Sequence, residues 1–122
     1  MADNEGRLVS DEVRARLIGA ARERGFVNYK ELVIIMGHEN PKRGDYSPLW
    51  PLLDAITKDE LRDGRPMLCS VAIKTGKTYP GIGFYRLACG LKFVQTANED
   101  RDFWRVKLEE TWDYWSNLRK AS

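Results

Sequence analysis

The C-terminal part of the chain carries the feature that most constrains the fold, a broad apolar stripe at helical spacing. Between residues 98 and 120 the apolar positions recur every three or four residues, which predicts a long amphipathic α-helix with Asn98 as its N-cap. The stripe includes three tryptophans, Trp104, Trp112 and Trp115. Three indole rings on one helix need a large apolar surface to pack against, so the rest of the chain must supply a core.

The chain is long enough to supply that core. Its 122 residues match the usual size of one domain, and a chain of this length buries roughly two-thirds of its unfolded surface. Hydrophobic residues make up 43% and charged residues 31%, which is typical of a globular protein. Residues 1–9 are predicted to be a flexible tail and residues 10–122 a single domain. No apolar run of about 18 residues exists, so we expect a soluble, cytoplasmic protein without a membrane partner.

Start and stop signals predict two helices in the first part of the chain. Ser10 is a candidate N-cap for a helix over residues 11–24. Asn28, with Glu31 three residues later, resembles a capping box and predicts a short helix that ends at Gly37. The spacing therefore gives two helices separated by a short break.

The middle of the chain mixes helical and strand signals. Pro48 suits the first position of a third helix over about residues 48–57. Residues 67–74 read as a mostly buried strand, and a glycine-containing turn returns the chain as a second strand at 78–79. A short helix is predicted over residues 84–88. Together these elements predict an α+β fold with a winged-helix-like helical core, a small β-hairpin and a long C-terminal aromatic helix.

Patterns typical of catalytic and cofactor sites are incomplete. The Gly-Lys-Thr string at 76–78 lacks the earlier glycine of a phosphate-binding loop, because that position is Val71. The glycines at 81–83 lack the third glycine of a dinucleotide fingerprint, which falls on Arg86. Two cysteines and the single histidine, His38, fall short of the four ligands of a structural zinc site. We therefore expect no cofactor and no metal, and an enzymatic role is less favoured than a binding role.

An ordered set of elements in the middle of the chain is similar to a known family. It consists of the run Val-Asn-Tyr-Lys-Glu-Leu at 27–32 followed by Gly37, then the helix 48–57, then a strand led by Pro66. Over about residues 26–80 this order resembles the winged-helix half of alkylguanine-DNA alkyltransferases and alkyltransferase-like proteins. The resemblance implies a helix-turn-helix that binds duplex DNA.

The active-site motif of that family is missing from this chain. The family's Pro-Cys-His-Arg site would fall on Pro66-Met67-Leu68-Cys69, where histidine and arginine are absent. The corresponding recognition helix, residues 47–57, contains no arginine that could replace a flipped base. Alkyl transfer and base flipping therefore do not carry over, and duplex binding is what the resemblance leaves.

Basic residues flank the predicted third helix and hairpin, so the leading prediction is a small non-enzymatic module that binds duplex nucleic acid mainly through phosphates. The net charge of +2 is too small to require such a partner by itself. The residues predicted to contact phosphates, directly or through a helix N-terminus, are Lys42, Arg43, Ser47, Lys58, Arg62, Lys74 and Lys77.

The alternative prediction is a protein-interaction or homodimerisation module that uses the aromatic C-terminal helix. Trp104, Trp112 and Trp115 would then be partly exposed, because tryptophan is enriched at the centres of protein interfaces. The sequence leaves the partner, the base preference, the oligomeric state and the biological process open.

Overall fold

The computed structural model describes the backbone of residues 2–121 and the side chains of residues 8–117. Five α-helices lie in this part of the chain: α1 (Ala2–Arg22), α2 (Tyr29–Ile35), α3 (Leu49–Arg62), α4 (Ile82–Gly90) and α5 (Arg101–Ala121). The strands β1 (Val27–Asn28) and β2 (Ala72–Ile73) and two 3₁₀ helices, Arg43–Tyr46 and Leu68–Val71, complete the described elements. The predicted α+β class is confirmed. None of the described helices is long and apolar enough to cross a bilayer.

Helix α1 begins much earlier than predicted. Ser10 lies inside the helix rather than at its cap, and residues 2–9, predicted to be a flexible tail, have helical backbone, while Met1 lies outside the described residues. Apolar residues at helical spacing explain the extension, because Val9 packs against the core four residues before the fully buried Val13. The helix therefore gains tertiary contacts ahead of its strongest sequence signal.

Helix α2 forms as its capping residues predict. The Asn28 side-chain Oδ1 accepts a hydrogen bond from the Glu31 backbone N–H at 2.9 Å, which satisfies one of the unpaired donors of the first turn. The helix ends at Ile35, and Gly37 takes a φ of 109° that glycine adopts most readily.

The two strands pair with each other in parallel, with Val27 opposite Ala72 and Asn28 opposite Ile73. The predicted β-hairpin is therefore wrong. After β2 the chain makes a turn in which the Lys74 N–H donates to the Tyr79 carbonyl oxygen at 3.0 Å. In the described part of the chain this turn is not extended into a second strand pair.

The buried segment that leads into β2 also differs from its prediction as a strand. Its first residues form the 3₁₀ helix Leu68–Val71, and every residue of that helix is buried. The segment is packed between α1, α3 and α5, so it is covered on all sides. Continuous burial removes the alternation that separates strands from helices in sequence, which is why the pattern was ambiguous.

Helix α5 lies against α1 and closes the core. The Asp100 Oδ1 accepts from the Phe103 backbone N–H at 3.1 Å, so Asp100 provides the N-terminal cap that was assigned to Asn98. The helix buries Trp104, Leu108 and Trp112 on its inner face.

Candidate functional site

All seven residues predicted to contact phosphates are exposed, but they lie on three separate parts of the chain. They are Lys42 and Arg43 at the first 3₁₀ helix, Ser47, Lys58 and Arg62 in or just before α3, and Lys74 and Lys77 in the turn after β2. The structure brings some of them towards one surface and leaves others engaged elsewhere.

The turn after β2 forms the centre of a basic surface. Lys77 and Lys74 lie in the same turn, where the Lys77 N–H donates to the Lys74 carbonyl oxygen at 3.0 Å. Thr75 in this turn accepts from the Lys30 backbone N–H at 3.1 Å, which places the start of α2 beside it. Arg86 of α4 lines the same cleft as Lys74. We call Lys30, Lys74, Lys77 and Arg86 the basic rim.

The basic rim carries charge that the protein itself does not neutralise. Among the side chains of residues 8–117, no carboxylate lies within ion-pair distance of these four cations. Lys74 does lie over the Tyr79 ring, with its Nζ 5.9 Å from the ring centroid. Exposed cations without a carboxylate partner are the groups that attract phosphates.

Two of the other predicted cations, Arg62 and Lys58, have acids beside them. Arg62 donates to Asp59 at 3.0 Å one turn earlier on α3, so a neighbouring acid offsets its charge. Lys58 lies close enough to Asp54 for the two charges to attract. Lys42 and Arg43 pair with no carboxylate among the described side chains, but they lie at the 3₁₀ helix Arg43–Tyr46 and not at the turn after β2.

Ser47 does not have the predicted role at the start of α3. The N-cap of α3 is Pro48, and no side-chain cap is formed. The Ser47 backbone N–H instead donates to the Gly44 carbonyl oxygen at 3.4 Å and closes the preceding 3₁₀ helix. The N-terminus of α3 is therefore one residue later than predicted.

A cleft of about 600 Å³ adjoins the basic rim. It lies between α3, the turn after β2 and the first turns of α4. Its lining residues are Tyr29, Tyr46, Trp50, Leu53, Asp54, Cys69, Lys74, Thr75, Gly81, Ile82, Gly83, Phe84, Arg86 and Leu87. The lining is mainly aromatic and aliphatic with a few polar groups, as is typical of small-molecule sites.

Aromatic rings form one wall of the cleft. Trp50 packs edge-to-face on Tyr29, with 4.9 Å between the ring centroids and 87° between the ring planes. Trp50 is 39% exposed and Ile82 is 40% exposed, although both line the cleft. These apolar side chains are therefore held at the mouth of the cleft without being covered.

The Tyr29 hydroxyl is a fixed element of the cleft. It accepts a hydrogen bond from the Gly81 backbone N–H at 2.9 Å and so ties α2 to the start of α4. Burial raises the pKa of Tyr29 to about 12, which keeps the phenol protonated at neutral pH. Gly81 lies beside the Tyr29 ring, and a Cβ at this position would be in ordinary van der Waals contact with it.

The N-terminus of α4 adds positive potential to the cleft. Gly81 is the N-cap and has no side chain to satisfy the first N–H groups of the helix. Ile82 and Gly83, the first two helical residues, both line the cleft. The helix dipole therefore supports the charges of Lys74 and Arg86 there.

Asp54 is the acidic group of the cleft. It is half-buried on α3, one turn after Trp50. Burial raises the pKa of the Asp54 carboxyl, while the nearby Lys58 opposes the shift. Among the described residues no group donates a hydrogen bond to this carboxylate, so it remains an unused acceptor in the cleft wall.

Cys69 borders the cleft but is not an activated nucleophile. Its backbone N–H donates to the Thr57 hydroxyl at 3.3 Å. Burial raises the pKa of the Cys69 thiol to about 12, so the thiolate needed for nucleophilic attack is scarce at neutral pH.

The three tryptophans of α5 are buried in the core of the chain. Trp104, Trp112 and Trp115 are 6%, 8% and 6% exposed. These indoles therefore present little exposed area for the predicted docking surface, which stays a prediction. The exposed tryptophan is instead Trp50 on α3.

His38 and the cysteines do not assemble a metal site. His38 lies 3.6 Å from the Asp45 carboxylate beside the first 3₁₀ helix. In the part of the chain that the structure describes, no three histidine, cysteine or acidic side chains are grouped so as to hold a metal ion.

Comparisons of the chain with protein-family models, with curated proteins and with solved structures give no match in any of the three. The resemblance to alkyltransferase winged-helix domains therefore stays a prediction.

Most residues of the cleft were not predicted from the sequence to form a site. Trp50 and Asp54 are spaced one turn apart on α3, and this spacing was the available signal for a shared face. Lys30 and Arg86 gave no such signal, because they reach the basic rim from α2 and α4 only through tertiary packing.

Proposed function

We propose that this domain binds duplex nucleic acid through backbone phosphates, with the basic rim as the contact surface. The observation that carries the proposal is the convergence of Lys30, Lys74, Lys77 and Arg86 around one turn and one helix N-terminus, with no described carboxylate pairing with them. Contacts to phosphate position a duplex without reading its sequence, so we expect little base preference.

The shape of the surface supports phosphate contact more than groove reading. The exposed side of α3 presents Trp50, and the acids Asp59 and Asp54 lie beside its cations Arg62 and Lys58, so little free positive charge is left there for a groove lined by phosphates. The turn after β2 is short and exposed, so its two lysines can reach a phosphate strand without insertion of a helix. The proposal therefore places the turn, rather than α3, against the duplex.

The test is fluorescence anisotropy of a labelled duplex of about 20 base pairs at several salt concentrations. Four phosphate contacts predict that log K falls against log salt concentration with a slope of about −3.6. Lys74→Glu with Lys77→Glu should reduce this slope to about half and weaken binding at low salt at least 10-fold.

The matched control is Arg22→Glu with Arg105→Glu. It changes the net charge by the same amount on α1 and α5, which contribute no residue to the cleft lining. We expect it to retain most of the affinity of the unmodified protein. An absence of binding at 50 mM salt, or equal weakening by both double variants, would contradict the proposal.

A second double variant tests how far the surface extends. Lys42→Glu with Arg43→Glu alters the 3₁₀ helix whose last residue, Tyr46, lines the cleft. If the duplex also lies over this helix, affinity falls several-fold. An unchanged affinity would confine the contact to the basic rim.

A further inference from the structure

We infer that the cleft beside the basic rim binds a free small molecule that joins a planar nitrogen heterocycle to an anionic group, as a nucleoside monophosphate does. Its volume of about 600 Å³ lies within the range of roughly 300–1,000 Å³ that small-molecule sites occupy. Aromatic, acidic and basic side chains line this one cleft, so a single compact ligand can reach all of them.

The apolar mouth of the cleft favours a flat ring. Trp50 and Ile82 line it and remain 39% and 40% exposed, so a ring placed between them would cover apolar surface that now faces water. Tyr29 holds Trp50 through their edge-to-face contact at 4.9 Å, which limits the rearrangement needed to accept a ring.

The basic side of the cleft favours an anion on that ring. Lys74 and Arg86 line the cleft, and among the described side chains neither pairs with a carboxylate. The N-terminus of α4 faces the same space with no side-chain cap. A phosphate there would receive charge-assisted hydrogen bonds from both cations.

Asp54 supplies the remaining chemical requirement. Its carboxylate lines the cleft, is half-buried and accepts no hydrogen bond from the described residues. A ring N–H or an exocyclic amine would satisfy it, and a ring that only accepts hydrogen bonds would not. This requirement selects a nitrogen heterocycle over a purely hydrocarbon ring.

The inference is independent of duplex binding. The bases of an intact duplex are paired and stacked, so they are not available to a cleft of this size, whereas a free nucleotide is. The two sites share Lys74 and Arg86, but Lys77 belongs to the basic rim without lining the cleft, and Trp50 lines the cleft without belonging to the basic rim.

Isothermal titration with adenosine 5′-monophosphate tests the inference. We expect a dissociation constant of roughly 10–100 µM, as ligand efficiency allows for a molecule of this size. Adenosine, ribose 5-phosphate and inorganic phosphate each lack one of the required parts and should bind at least 10-fold more weakly.

Substitutions in the cleft test which residues contact adenosine monophosphate. Trp50→Ala and Arg86→Gln should each weaken adenosine monophosphate binding at least 10-fold, whereas Trp50→Phe, which keeps a ring, should stay within about 3-fold. Arg22→Gln is the control on α1 and should change nothing. Thermal unfolding of each variant verifies that it is folded, and the exposed Arg86 keeps the test decisive if Trp50→Ala is unstable.

Three outcomes would overturn the inference. The first is no binding of the monophosphate at millimolar concentration, and the second is equal binding of inorganic phosphate. The third is Trp50-dependent binding of an oligonucleotide with one unpaired adenine but not of the free nucleotide. Duplex affinity, measured in parallel, separates these results from failure of the proposed function.

Discussion

Polar groups in the interior around the second 3₁₀ helix are hydrogen-bonded to each other, whereas two charged groups in the cleft beside α3 have no hydrogen-bond partner among the described residues. In the interior the Ser70 carbonyl oxygen accepts from the Trp104 indole N–H at 2.9 Å, and the Ser70 hydroxyl donates to the Thr111 hydroxyl at 2.9 Å. In the cleft the Asp54 carboxylate and the Arg86 guanidinium have no such partners among the described residues.

This difference follows from the cost of desolvation. A fully buried polar group without a partner costs about 1–3 kcal/mol, so the interior of a stable domain pairs its own groups. A group at the wall of an open cleft keeps access to water and can stay unpaired until a ligand arrives. Substitutions in the interior should therefore lower stability, and substitutions in the cleft should mainly lower binding.

The largest effect is expected at Glu60. This carboxylate is 1% exposed on α3 and accepts hydrogen bonds from Arg14 and Arg65. Glu60→Ala leaves both cations without their shared acid and should lower the free energy of unfolding by about 3 kcal/mol. The value lies near the low end for buried pairs because Arg14 and Arg65 are partly exposed and can be rehydrated.

Urea denaturation measures this loss, with Asp59→Ala as the control. Asp59 is the preceding residue on α3 and pairs with the exposed Arg62 at 3.0 Å, so its removal should cost less than about 1 kcal/mol. Similar losses in the two variants would mean that the buried cluster is no better paired than the surface.

A smaller difference in stability loss is expected between Trp→Phe substitutions at two positions of α5. The Trp104 indole N–H donates to the Ser70 carbonyl oxygen, whereas the buried Trp115 indole N–H has no hydrogen-bond partner among the residues that the structure describes. Both Trp→Phe changes remove similar ring area, but Trp104→Phe also leaves the buried Ser70 carbonyl oxygen without its hydrogen bond. Trp104→Phe should therefore cost about 1 kcal/mol more, measured by denaturant unfolding. Equal costs would imply that Trp115 has an equivalent partner.

The smallest effect concerns Asp54 and depends on pH. Burial raises the pKa of this carboxyl above its ordinary value of 3.8, so the ionised form disfavours the folded state. The penalty is present above the folded-state pKa and disappears as the pH falls through that pKa towards the unfolded value. Asp54→Asn should therefore raise Tm at pH 7, and the difference should vanish below about pH 4.

The control for this titration is Asp59→Asn, since Asp59 is exposed and paired with Arg62. It should not raise Tm at pH 7. If Asp54→Asn instead lowered Tm at neutral pH, a favourable partner such as Lys58 would outweigh burial, and the cleft would resemble the paired interior.

Features encoded by neighbouring residues were predictable. Asn28 caps α2 as its spacing to Glu31 predicts, and the short helix α4 ends at Gly90 close to where the sequence places it. The long C-terminal helix was also predicted, although its cap is Asp100. Capping is a contact across three residues, so a sequence window contains both partners.

Features that depend on distant partners were not predictable. Residues 67–74 had the composition of a strand, but half of the segment, packed by α1, α3 and α5, is a 3₁₀ helix. The parallel pairing of β1 with β2 joins residues 45 positions apart in sequence, such as Val27 and Ala72, and no local signal specifies it. Lys30 and Arg86 were absent from the predicted phosphate contacts for the same reason, because only tertiary packing brings them to the basic rim.

The sequence by itself determined that this chain has enough apolar surface for one core, that its C-terminal helix presents an aromatic stripe, and that lysines flank the glycine-containing turn. These properties depend on composition and on spacings of a few residues. Only the tertiary structure decided that Trp104, Trp112 and Trp115 are buried while Trp50 is exposed, and that an acid, two cations and aromatic rings share one cleft. Burial and proximity depend on which segments pack together, and that is settled by the summed contacts of the whole chain.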